Sequence, residues 1–157
     1  MHRTTSRIRR LGPTTAVLAV VAAVFAATAG HGGEDITKPR LERAIAPTFA
    51  NLYVQRSTIL GKTGVTVASI DAHAACDRGG PKVPDTGPGA NWICMITFTD
   101  DAGQRQEGKF EVTANADATY VAGGPSKLVG LATITDTRGV DVTNPAFEFD
   151  GAFDPDT

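Results

Sequence analysis

The chain has 157 residues, of which 15 are basic and 17 acidic, for a formal charge of −2. That balance, with no basic patch beyond the first ten residues, argues against a nucleic-acid partner, because phosphate backbones select clustered Lys and Arg. No internal repeat is present, which argues against solenoid and propeller arrays.

Residues 1–29 read as a secretory signal peptide. MHRTTSRIRR carries Arg3, Arg7, Arg9 and Arg10 and no acid. Leu11 to Ala29 is uncharged, and Ala27-Thr28-Ala29 ends the run with the small residues a signal peptidase reads. The run also has the length of a membrane span, about 17–25 residues, so an uncleaved anchor is the alternative. Its alanine content favours cleavage, since alanine inserts less stably than leucine. Thr28-Ala29-Gly30 is followed by His31, which has no thiol to carry a lipid. Arg9-Arg10 lacks the flanking residues of a twin-arginine signal. Cleavage after Ala29 removes four arginines and leaves 128 residues with 11 basic against 17 acidic side chains, a charge of −6. The expected location is secreted or cell-surface.

Residues 30–36 read as a linker, and 37–157 as a single globular domain, large enough to bury about two-thirds of its unfolded surface. In TKPRLERAIAPTFANLYVQRSTILGK, residues Leu41, Ile45, Phe49, Leu52 and Ile59 recur at helical spacing. Thr37 is placed to cap the start, Pro39 suits the first turn, and Gly61 is the expected stop. Pro47 is expected to kink or split the helix. GVTVASIDA then reads as a strand led by Val65, Thr66 and Val67. NWICMITFT is the clearest strand: Trp92, Cys94, Ile96 and Phe98 share one face, and Ile93, Met95, Thr97 and Thr99 the other. Asp100-Asp101-Ala102-Gly103 is a hairpin turn, after which Phe110 and Val112 face inward and Lys109, Glu111 and Thr113 outward. ATYVA is a further arm, broken by Gly123-Gly124-Pro125. KLVGLATIT and GVDVT flank an Asp136-Thr137-Arg138-Gly139 turn, and AFEFDGAFDPDT closes the chain.

Cys76 and Cys94 are the only cysteines. Outside the cytoplasm a lone pair in a small domain forms a disulfide. Metal binding would need more ligands at paired spacing, and a redox pair would be C-x-x-C. The Gly- and Pro-rich stretch between the cysteines reads as a floppy excursion in need of a tether.

Other motifs are weaker. Asp85-Thr86-Gly87 spells an aspartic-protease triplet, but it sits in a Gly/Pro loop and one copy cannot share a proton between two carboxylates. Gly61-Lys62-Thr63 lacks the first glycine of a phosphate loop and follows a helix instead of preceding one. Asp71 and His73 lie two residues apart on one predicted strand and are the only candidate catalytic pair, without a nucleophile motif beside them. Glu148, Asp150, Asp154 and Asp156 do not have the spacing of a calcium loop. No cofactor and no metal site is expected. Phe147, Phe149 and Phe153 alternate with acids, either as a last strand packed inward or as an exposed patch. Together with Asp150 they are the candidate partner-binding residues.

One helix followed by antiparallel strands makes the fold α+β, with the helix laid on the sheet as in cystatin-like folds. A β-sandwich with an external helix is the alternative. The layout resembles that of small exported single-disulfide proteins of high-GC Gram-positive bacteria: signal, linker, helix, Val-rich strand into Cys76, then Trp92-Ile93-Cys94 opening a hairpin. The resemblance covers most of the mature chain and implies a helix-on-sheet fold and one disulfide, but no activity. Related exported proteins often carry a lipidated Cys where this chain has His31. The expected function is an exported, non-enzymatic domain that binds a protein or cell-envelope component, with the Cys76–Cys94 loop and the Phe-rich tail as its contacts. An extracellular inhibitor of a secreted hydrolase and an enzyme using Asp71 and His73 are the alternatives.

Overall fold

A computed structural model describes residues 36–153. The leader, most of the linker, Asp154 and Asp156 lie outside the described residues. Helix α1 (Lys38–Ile59) is followed by a single turn α2 (Val67–Ile70), strands β1 (His73–Asp77), β2 (Gly89–Thr99), β3 (Arg105–Ala114) and β4 (Thr119–Gly123), and a second single turn α3 (Ser126–Val129). Strands β5 (Thr133–Thr135), β6 (Asp141–Thr143) and β7 (Glu148–Ala152) complete the chain. Five strands form one antiparallel sheet in the order β1-β2-β3-β4-β7, and β5 and β6 pair as a separate hairpin. The fold is α+β, with α1 on one face of the sheet. It is not a sandwich, because the second sheet among the described residues is only that hairpin. No helix among the described residues is long and apolar enough to cross a membrane.

The helix packs because its apolar residues recur every four positions. Leu41, Ile45, Phe49, Tyr53 and Ser57 are buried in one stripe, flanked by Ala46 and Ala50. Leu52 and Ile59, expected on that stripe, are only half-buried. Pro47 does not split the helix. It lies on the exposed side with Arg43, so the carbonyl that loses its donor faces water. Thr37 occupies the N-cap position without a side-chain cap. The Lys38 N–H instead donates to the Asp85 carbonyl at 3.1 Å. Gly61 ends the helix with φ 72°. Arg56 leaves the polar face expected for it: its guanidinium lies 5.0 Å from the Tyr53 ring centre, and Nε donates to the Val129 carbonyl at 2.8 Å.

The predicted strand at GVTVASIDA is not formed. Thr66 and Ser69 cap each other reciprocally, and this capping box starts α2, a local alternative that β-branched propensity does not outweigh. Asp71 ends the turn in the left-handed conformation (φ 47°), and the strand begins only at His73. KLVG likewise folds as α3, not as a strand. Ile36, assigned to the linker, is buried, and its carbonyl accepts from Gly87 N–H at 2.7 Å.

Strand β2 alternates as expected, with Trp92, Cys94, Ile96 and Phe98 buried. Phe49 sits at the centre of the core. Its ring centre lies 4.9 Å from Phe98, 5.1 Å from Phe110, 5.7 Å from Tyr53 and 6.2 Å from Phe149. The tail is therefore core and not an exposed aromatic patch: Phe149 is 5% and Phe153 3% exposed, and Phe153 packs on Tyr120. The cause is the pairing of β7 with β4, which sets Phe149 opposite buried Ala122.

Candidate binding face

The helix covers one face of the sheet, and the other face carries the residues that alternate outward. The ladder registers place Asp77, Ile93, Glu111, Gly123 and Glu148 in one row across all five strands. Ala75, Met95 and Lys109 form the row on one side, and Thr113, Val121 and Asp150 the row on the other. Ile93 and Met95 are half-buried, and Val121 is 40% exposed. This face therefore has an apolar centre with acids toward β7.

A groove of about 450 Å³ opens on this face at the end of β4, within the size range of ligand sites. Lys109, Glu111 and Glu148 line it from the strands, and Gly123, Gly124, Pro125 and Phe147 complete it. Lys109 Nζ stands 3.9 Å from Glu111 Oε1, an exposed pair that contributes little to stability. Glu148 and Asp150 have no cationic partner among the described residues. Of the four tail residues expected to bind, Phe147 reaches the groove and Asp150 stands exposed in the adjacent row, while Phe149 and Phe153 point to the core. Alternation along β3 was enough to turn Lys109 and Glu111 outward. Gly123 and Glu148 were missed as neighbours because their proximity depends on the β4–β7 register.

Cys76 and Cys94 are bonded. They are direct partners across β1 and β2, with Cα atoms 4.0 Å apart, and both are buried. Because β1 is an edge strand, the outward N–H of Cys76 needs a partner, and the Glu42 carboxylate of α1 accepts it at 2.8 Å. The loop between the cysteines is anchored, not floppy. Arg78 was not singled out in the sequence, yet its guanidinium donates to the Thr86 and Pro88 carbonyls and to Asn91 Oδ1. Its N–H donates to Asp85 Oδ1 at 2.9 Å, so the D-T-G aspartate serves the loop. Asp77 Oδ1 accepts from Gly79 and Gly80 N–H, and the Gly80 and Gly79 bonds hold its carboxyl below the usual carboxylate range. Arg78→Ala is expected to release the loop, so that trypsin cuts after Lys82 at least ~10-fold faster, in proportion to the open population. Peptide mapping of a timed digest checks this, and an unchanged cut rate would mean the guanidinium does not hold the loop. Lys82 sits inside a turn closed by the Val83 N–H bond to the Gly80 carbonyl. A protease-inhibitor loop would have to present it extended.

Asp71 and His73 do meet, with Oδ1 and Nε2 3.1 Å apart. Both side chains are more than half exposed, and Arg105 takes the other carboxylate oxygen at 3.2 Å. Thr97, opposite His73 across the β1–β2 ladder, accepts from Arg105 through Oγ1 at 3.1 Å, and Ser69 Oγ is committed to its capping box. Neither Asp71 nor His73 belongs to the lining of the groove at the end of β4 or of a smaller one beside the β2–β3 turn. That smaller groove, of about 200 Å³, contains Asp100 and Asp101. Asp100 there accepts from Ala102 N–H, Gln104 N–H and the Gln106 amide, which commits it to the turn. No group of three or more metal-ligating side chains occurs among the described residues. Compared with known proteins, the chain matches no family model, no curated protein and no solved structure.

Proposed function

We propose that the chain is an exported, non-enzymatic domain that binds a protein partner at the cell envelope through the open face of its sheet. The observation that carries this reading is the one-sided packing: α1 covers the inner face, while the outer face presents Ile93, Met95 and Val121 beside the groove. Half-apolar surface of this kind on a disulfide-stapled scaffold suits recognition. The helix-on-sheet layout, cystatin-like in outline, is read as scaffold only, because a fold by itself implies no activity. The Cys76–Cys94 bond supports export, since such bonds form and persist in oxidising compartments. The arginine-headed leader supports it independently.

The test is site-specific photocrosslinking in cells that export the protein. A photoreactive residue in place of exposed Val121 is expected to give a discrete adduct. The same residue in place of Asn51, on the solvent side of α1, is expected to give none. No adduct from position 121, or equal labelling from both, would remove the open face as the binding surface.

A further inference from the structure

Four glycines lie within strands, and three have a steric or conformational reason to be there. Gly89 has φ 153° and would place a Cβ 2.7 Å from Asn91 Oδ1. A Cβ on Gly108 would come within 2.8 Å of Leu128 Cδ1, and one on Gly151 would collide with the Tyr120 phenol. Gly123 differs: its φ is not positive, and a Cβ built on it meets nothing within 4 Å. Glycine weakens a strand and often marks close approach of another molecule. Here, at the last residue of β4, an added Cβ would meet no other part of the fold, and Gly123 lines the groove.

We infer that Gly123 keeps a slot open on the sheet face for a lysine or arginine side chain, carried by an extended basic segment of the partner protein. This rests on the open face being the binding surface. Glu111 and Glu148 are the register neighbours of Gly123 on either side, two strand spacings or about 10 Å apart at Cα. A cationic head lowered between them over a residue with no side chain reaches both carboxylates. Half-buried Phe147 and Pro125 line the same groove and give the methylene stem an apolar wall. At this end of the face Glu111, Glu148 and Asp150 outnumber Lys109, so anionic wall polymers are repelled and a basic polypeptide is attracted.

The experiment titrates the 15N-labelled full chain at low salt with an octapeptide of alternating serine and arginine, which puts every guanidinium on one side when extended. Saturable shifts are expected at amides 109–111, 121–124 and 147–150, weakening as salt is added. Gly123→Val is expected to raise Tm by about 2–5 °C, since it improves a strand residue at a position where an added Cβ meets nothing within 4 Å, and to weaken peptide binding at least ~10-fold by filling the slot. Glu111→Gln/Glu148→Gln is expected to weaken binding to a similar extent with Tm unchanged. If Gly123→Val melts below the wild type, the glycine is structural and the inference falls. It also falls if that variant binds the peptide unimpaired. Equal shifts from a serine–glutamate octapeptide would remove the cationic preference while leaving the face as a docking surface. No shifts from either peptide would remove the slot, and the Val121 crosslink reports on the face independently.

Discussion

Phe49→Ala is expected to lower the free energy of unfolding by about 3–5 kcal/mol. Phe49 is fully buried, and four aromatic rings surround it within 6.2 Å between centres. They come from α1, β2, β3 and β7, so no one element can move inward to fill the space. Each aromatic pair adds about 0.5–1.5 kcal/mol beyond area burial, which places this site toward the upper part of the range. A domain of this size has about 5–15 kcal/mol in total, so the variant should be marginal. Phe49→Leu keeps most of the volume but loses the same ring contacts, and is expected to cost less than the alanine variant while remaining clearly destabilising. Urea denaturation of both variants checks the pair. If the alanine variant lost under ~1.5 kcal/mol, α1 would not be seated on the sheet through this ring.

Cys76→Ala/Cys94→Ala is expected to cost about 3 kcal/mol, the chain-entropy value for the loop the bond closes. The sequence separation is 18, and the bond joins residues that already face each other across the β1–β2 ladder. The native sheet therefore keeps its register without the bond, and the loss falls on the unfolded chain, which gains freedom. Alanine avoids leaving two hydroxyls in a site that is at most 1% exposed. Because both sulfurs are enclosed, reductant is expected to reach the bond in the wild type only when β1 detaches. Reduction should then follow the opening of β1 amides seen by hydrogen exchange. Rapid reduction of the folded protein, or a variant as stable as the wild type, would contradict this account.

The elements that sequence reading recovered are those whose signal is local. The four-residue stripe through Leu41, Ile45 and Phe49 specifies α1, and strict alternation specifies β2. Asp100 with Gly103 specifies the hairpin turn, where the Asp100 carboxylate accepts backbone N–H groups on the spot. Where the reading failed, two local signals competed. Val65, Thr66 and Val67 have strand propensity, but the Thr66–Ser69 capping box closes over four residues and needs no neighbour to form.

The Phe-rich tail shows a different limit. Alternation of Phe147, Phe149 and Phe153 with acids fits an inward or an outward face equally well. The β4–β7 register alone put Phe149 in the core and Glu148 beside Gly123. The cysteine pair and the helix and strand periods belong to the sequence by itself, because each depends on residues a few positions apart or on composition. The groove, the row from Asp77 to Glu148 and the role of Gly123 belong to tertiary structure. They join residues as far apart as Asp77 and Glu148, and a one-residue slip in any ladder would turn them to the opposite face.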